Sequence, residues 1–215
     1  RPMRRVAEPL ERMGAEILLS DAGLAPMRVR GRSPLKAGAL TLALPSAQVK
    51  SAVLLAALFA DGETTLTDPF GTRDHTERML AFLGGDISVD GPVIRLRPGV
   101  LRSGKSLTIP GDPSTAAFYA AAAALVPGSA VTLLRVLHNP TRMGFFSALE
   151  AMGAAVTVSH GGTNGREPVG DIAVAHGKLK GIRIPPERVP SLVDEVPLLA
   201  VLAAAAEGET RIEGL

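Results

Sequence analysis

PSAQVKSAVLLAALFA, residues 45–60, opens polar and then turns apolar on every side over 52–60. Ser46 carries the side chain of a helix N-cap, so a helix is expected to begin near Ala47. A helix that is apolar all round is expected to be buried, because none of its faces gains from water. Its alanines let other backbones come close. The polar start then marks where a buried helix begins, with unfilled backbone N–H groups and a partial positive charge. Such an end is receptive to an anion.

The same pattern returns as DPSTAAFYAAAAALV (112–126) and as PSLVDEVPLLAVLAAAA (190–206). Gly62, Gly128 and Gly208 follow the three copies and serve as stops. Each copy then runs into a strand-like stretch: ETTLTD, SAVTLLRV and ETRIEGL. A second motif interlocks with the first: LERMGAEILL (10–19), LAFLGGDISV (80–89) and LEAMGAAVTV (149–158). Its central residues Gly14, Gly84 and Gly153 lie 70 and 69 residues apart. Each such glycine closes an amphipathic helix, expected over 3–13, 74–83 and 143–152, before alternation begins a strand. Turns follow at SDAGLAP, VDGP and SHGGTNG. Then come strands MRVRG, VIRLRPG and DIAVAHG, and short strands LTLALP, SLTIP and GIRIPP that end in proline.

One unit is therefore helix, strand, turn, strand, strand, buried helix, strand. It is used three times, over about 1–69, 70–140 and 141–215. A single unit cannot bury an all-apolar helix, whereas three can cluster theirs. The expected fold class is α/β: one pseudo-threefold domain over 1–215, with the buried helices roughly parallel, small sheets around them and the capped helix starts gathered at one end.

Composition narrows the function. The chain has 215 residues, is 46% hydrophobic, and carries 23 basic against 21 acidic residues. The calculated pI of 9.3 reflects a small excess of base rather than a basic stripe. With aromatics at only 3%, the clustered cations and stacking rings of a nucleic-acid binder are missing, so no nucleic-acid partner is expected. There is no cysteine, which removes thiolate chemistry and disulfides and fits a cytoplasmic location. No apolar run approaches the ~18 residues of a membrane span, and no membrane partner is expected. The opening RPMRRV and the stop at IEGL read as cut ends, so the chain is expected to be a piece of a longer polypeptide.

The three helix starts present Ser46, Ala47 and Gln48; Asp112, Ser114 and Thr115; and Ser191, Asp194 and Glu195. Ser46 and Gln48 can donate to a phosphate or a sugar-like hydroxyl. Asp194, expected one turn inside the third helix, reads either as an acid favoured by the helix dipole or as a ligand-binding carboxylate and general base. Asp112 in GDPST reads as a plain N-cap with proline at the first helical position; without the lysine and the spacing, the loop is no phosphate-binding P-loop. Arg1, Arg4, Arg5, Arg73 and Arg142 precede the amphipathic helices, and guanidinium suits bidentate phosphate or carboxylate contacts. His75, His138, His160 and His176 lack metal-ligand spacing and read as structural, with His75 on the second amphipathic helix. HGGTNG (160–165) reads as a hairpin turn.

Six linked stretches together carry a resemblance: RPMRRVAEPLERMGA, LPSAQVKSAVLLAAL, TRDHTERML, IPGDPSTAAFYAAAAALVPGS, NPTRMG and PSLVDEVPLLAVLAA. In this order and over the whole chain they resemble the 5-enolpyruvylshikimate-3-phosphate synthase family, the target of glyphosate. Ser-Ala-Gln and TRDHTE look like its class II bacterial branch. The resemblance implies two domains, each of three βαβαββ units, with this chain matching only the domain made from the middle of the polypeptide. The other domain would come from the missing ends. It implies transfer of enolpyruvyl from phosphoenolpyruvate to the 5-hydroxyl of shikimate 3-phosphate, with no metal and no organic cofactor. By the same resemblance Ser46, Ala47, Gln48, Arg73 and Asp194 would bind shikimate 3-phosphate. Arg1 and Gln48 would bind phosphoenolpyruvate, and Asp194 would be the candidate base. Other members carry a serine where Ala47 stands.

Two rival readings compete. A UDP-N-acetylglucosamine enolpyruvyl transferase resembles the same fold but usually carries a catalytic cysteine, which this chain lacks. A non-catalytic repeat scaffold predicts that Ser46, Gln48, Arg73 and Asp194 are scattered in space.

Overall fold

The computed structural model describes residues 2–102 and 104–215. The chain divides into two compact units, Arg1–Ser106 and Leu107–Leu215. The first contains α1 (Arg4–Arg12), β1 (Glu16–Leu18), β2 (Arg28–Arg30), β3 (Ala39–Thr41), α2 (Ala47–Ala57), β4 (Thr64–Thr67), α3 (His75–Phe82), β5 (Ile87–Asp90) and β6 (Val93–Leu96). Its main sheet runs β3-β4-β6-β5, parallel between β3 and β4 and antiparallel elsewhere. Register aligns Leu40 with Leu66 and Leu66 with Ile94. These three residues share the buried face, with Leu96 beside them. Val49, Val53, Leu54 and Ala57 of α2 pack on that face, with Met13 and Leu80 closing the cluster. β1 and β2 form a separate antiparallel ribbon.

The second unit contains α4 (Pro113–Leu125), β7 (Ala130–Leu137), α5 (Gly144–Met152), β8 (Ala155–Asn164), β9 (Glu167–Ala175), β10 (Arg183–Ile184), α6 (Val196–Ala205) and β11 (Arg211–Ile212). β7-β9-β8 is an antiparallel sheet, and β10 pairs with β11 in parallel. The alanine face of α4 is the middle of its core: Ala116, Ala117, Ala120, Ala121, Ala123 and Ala124 are buried. Phe145, Phe146 and Leu149 of α5, Ile172 and Val174 of β9, and Leu199 and Leu202 of α6 pack in the same cluster. Small side chains on α4 leave room for the large ones opposite.

The helix-ending glycines behave as their motif predicts. Gly14, Gly84 and Gly153 all have positive φ, at 93°, 83° and 107°. At Gly153 an added Cβ would also stand 2.8 Å from the Lys178 carbonyl oxygen, so conformation and space both require glycine.

Both larger sheets straddle repeat boundaries. β3 and β4 come from the first repeat, and β5 and β6 from the second. β7 comes from the second repeat, and β8 and β9 from the third. The division at 106/107 accordingly falls inside the second repeat.

Three expectations are corrected. The third apolar helix begins at Val196, not near 190; residues 186–195 form two 3₁₀ turns instead. Pro197 stands in the first turn of α6, where a proline is tolerated. A helix begun at 191 would hold it in the interior, which costs a hydrogen bond and a clash with the preceding turn, although α1 accepts Pro9 in such a place. The apolar helices are not buried on all sides either. Leu55 on α2, Phe118 and Tyr119 on α4, and Val201 on α6 are exposed. Finally, 160–164 is strand carrying a bulge between His160 and Thr163, and the turn is Gly165–Arg166, both with positive φ. Glycine at 162, with φ of 103°, accommodates the bulge.

Candidate functional site

The start of α2 is built as the sequence predicts. Ser46 is extended, and its hydroxyl accepts from the Val49 N–H at 3.3 Å. The first turn contains no acid of its own to offset the positive end of the helix. Gln48 is exposed there, and its Oε1 accepts from Arg5 Nη2 of α1 at 3.2 Å. That bond turns the amide so that its NH₂ remains available as a donor. Backbone donors, a hydroxyl and an oriented amide thus share one helix end, a set suited to a phosphate.

The segment carrying Arg73 is tied to the same helix. Asp68 closes a tight turn: its Oδ1 accepts from Phe70 N–H, and its Oδ2 accepts from Thr72 N–H and the Thr72 hydroxyl. Burial opposes ionisation of Asp68. The Thr72 hydroxyl, the Lys50 ammonium and the Thr72 N–H outweigh it and hold the carboxyl below its ordinary value. Arg73, half-buried, follows directly.

The second unit has its own polar helix start. Asp112 caps α4 by accepting from Thr115 N–H at 2.9 Å, with Pro113 at the first helical position. Arg142 Nη2 lies 3.2 Å from Asp112 Oδ1 and donates to Ser114 Oγ at 2.6 Å. Ser114 Oγ in turn donates to Glu195 Oε1 at 2.5 Å. Glu195, buried, is the N-cap residue of α6. Burial of Asp112 works against its charge, but the two Thr115 bonds and Arg142 prevail and hold its carboxyl below the ordinary value. Here the donors and acceptors are consumed by one another.

Asp194 lies in the 3₁₀ turn before α6 and is exposed, not one turn inside a helix. The buried carboxylate beside the start of α6 is instead its neighbour Glu195. Ser46, Ala47, Gln48 and Arg73 all fall in the first unit and Asp194 in the second. Arg1 lies outside the described residues. Residue-by-residue reading missed Lys50, Asp68 and Glu77, and named Glu195 only as one of the acids at the third helix start. The signal for its role was Pro197, which favours a helix starting beside it.

His138 is the other buried ionisable group of note. Neither ring nitrogen has a hydrogen-bond partner among the described residues, and the ring meets His160 edge-on at 6.2 Å. Desolvation, followed by the neighbouring His160, pushes its pKa down despite the opposing pull of Asp171. No helix among the described residues is long and apolar enough to cross a membrane.

A family model described as EPSP synthase (3-phosphoshikimate 1-carboxyvinyltransferase) matches residues 1–215. A 3-phosphoshikimate 1-carboxyvinyltransferase of Synechococcus sp. (strain CC9605) is 50% identical, over 100% of this chain and 49% of that protein. One from Gluconobacter oxydans (strain 621H) is 47% identical, over 100% of this chain and 50% of that protein. The chain thus spans about half the length of the curated relatives it matches. The solved EPSP synthase of Acinetobacter baumannii superposes with a TM-score of 0.87 at 44% identity, covering 99% of this chain and 48% of that one. The enolpyruvyl transferase NikO of Streptomyces tendae superposes at 0.78 with 20% identity, which is a likeness of fold.

Proposed function

The chain belongs to the EPSP synthase family, and from that premise we propose that residues 1–215 are the shikimate 3-phosphate-binding domain of a two-domain 3-phosphoshikimate 1-carboxyvinyltransferase. The observation that carries this reading is the end of α2. It offers a serine cap, an oriented Gln48 amide and no first-turn acid, beside a turn that leads into Arg73. In this reading Ser46 and the Ala47 N–H take the shikimate phosphate together with Arg73. The amide of Gln48 reaches phosphoenolpyruvate, as does Arg1. Asp194 holds the substrate hydroxyls and is the base.

The reaction is addition followed by elimination. The 5-hydroxyl oxygen bonds to C2 of phosphoenolpyruvate, losing its proton to the base, while C3 gains a proton. A proton is then lost from C3, the double bond reforms, and inorganic phosphate leaves C2. Charge develops on phosphate and carboxylate groups, so cations must surround the reactants on all sides while water is excluded. One domain supplies only part of that enclosure. The second domain, from the rest of a polypeptide about twice this length, supplies the other part. We place the enzyme in the cytoplasm, with which the absence of cysteine from these 215 residues is compatible.

Phosphorus NMR of this chain with shikimate 3-phosphate tests the reading. The expected result is a saturable shift of the phosphate resonance, lost in Arg73→Met. No turnover is expected from this chain alone. An unshifted phosphate resonance at millimolar ligand overturns the binding assignment, and product formation by this chain alone overturns the need for a second domain.

A further inference from the structure

We infer that Lys50 is a positioning residue, which fixes the Arg73-bearing turn against the first turn of α2; the inference rests on the phosphate-binding reading above. Lys50 is 2% exposed, the least solvated cation among the described residues. Its ammonium has three hydrogens and three acceptors: Glu77 Oε1 at 2.7 Å, the Thr72 carbonyl at 2.9 Å and Asp68 Oδ2 at 3.1 Å. Its backbone N–H closes the first helical turn on the Ser46 carbonyl at 3.1 Å. A single residue therefore bonds the N-cap with its main chain, and the residue before Arg73 with its side chain. A second tie runs alongside, from Ser51 Oγ to Thr76 Oγ1 at 2.6 Å.

Stability alone does not account for this arrangement. Two buried carboxylates face one buried ammonium, and Glu77 Oε2 is left with no hydrogen-bond partner among the described residues. Apolar side chains of similar volume commonly replace such a cluster without loss of stability. What they cannot replace is a directed bond to the Thr72 carbonyl. The cluster converts burial into a fixed distance between the helix start and the turn. A guanidinium that must meet a phosphate oxygen needs that distance held.

Two variants of the full 215-residue chain test this: Lys50→Met, and the double Lys50→Met/Glu77→Met, which leaves the bonds of Asp68 to Phe70 and Thr72 in place. Each is read by thermal melting, by amide hydrogen exchange at Phe70 and Thr72, and by phosphorus NMR titration with shikimate 3-phosphate. The double is expected to melt within about 5 °C of wild type. Its Phe70 and Thr72 amides are expected to exchange at least about tenfold faster, and its affinity to fall at least about tenfold. A folded double that binds like wild type overturns the inference, as does a double that cannot fold, which would make the cluster a requirement of the fold itself. If the wild-type chain fails to bind the ligand, the phosphate-binding reading falls. The exchange data then still decide whether Lys50 holds the turn, and unchanged exchange in Lys50→Met overturns that too.

Discussion

The starts of α2 and α4 are two versions of one repeated element, and they differ in what their polar groups do. At α2 the cap is a neutral serine, the first turn has no acid, and Gln48 faces solvent. At α4 the cap is a carboxylate, an arginine lies across it, and Ser114 passes the network on to buried Glu195. The first end keeps donors for something else. The second satisfies its own groups and joins α4 to the start of α6. The backbone pattern cannot tell them apart. The charge of the cap side chain can: neither first turn contains an acid, but one cap is a serine and the other a carboxylate.

The largest effect that would sharpen this contrast is on stability at the α4 end. Arg142→Met removes two bonds from a guanidinium whose side chain is only 13% exposed. We expect a loss of about 1.5–3 kcal/mol by chemical denaturation, the range for hydrogen bonds to charged groups. If stability held while shikimate 3-phosphate binding vanished, the α4 end would be a ligand site and the contrast would fail. The next effect is on affinity at the α2 end. Gln48→Glu gives α2 an acid in its first turn, as if it were no longer an anion end. The helix should gain about 0.3–1 kcal/mol from its dipole, while shikimate 3-phosphate should bind at least about tenfold more weakly, near 1.4 kcal/mol. Equal or tighter binding would show that the neutral first turn is unrelated to the ligand. A smaller effect comes from Ser46→Ala, which removes only the cap bond to Val49 and should lower stability by about 1 kcal/mol in a thermal melt. A drop of several times that size would mean that Ser46 does more in the apo fold than cap a helix.

Much of this was legible in the sequence because it is periodic or local. Gly14, Gly84 and Gly153 recur on schedule, and each occupies the left-handed region a helix stop needs. Ser46 and Asp112 are caps because a cap's chemistry is complete within four residues. The start of α6 was partly legible but misread: Pro197 weighs against a helix begun at 191, though α1 accepts Pro9, and weighing the apolar run above the proline placed Asp194 inside a helix it precedes. Lys50, Asp68 and Glu77 were not legible in the same way. Their meeting depends on how α2, the 68–72 turn and α3 pack, and no spacing in the sequence encodes that. The exposed apolar side chains Phe118 and Tyr119 were equally hidden. Composition shows that a helix is greasy but not which of its faces meets a neighbour.

The contrast extends to acid, where the two units should respond in different pH windows. In the first unit Asp68 is held below its ordinary value. Its contribution is therefore complete above the unfolded carboxyl pKa, about 3.9, and is lost only as pH falls through the lower folded value. In the second unit His138 is also depressed, with desolvation the main cause. For a histidine this means that the unfolded chain takes up its proton first, near pH 6.5. The second unit's stability is complete above that pH and declines as pH falls toward the folded value. Between pH 7 and 5.5, then, amides of the β7-β9-β8 sheet should lose protection while those of β3-β4-β6-β5 hold theirs. Hydrogen exchange at the two pH values, corrected for intrinsic rates, reads both sheets in one sample. His138→Leu replaces an unpartnered buried ring with an apolar side chain, so it should flatten the response of the second sheet and leave the first untouched. If both sheets loosened together in wild type, or if His138→Leu left the response intact, the acid sensitivity would belong to other groups and the pH contrast between the two units would collapse.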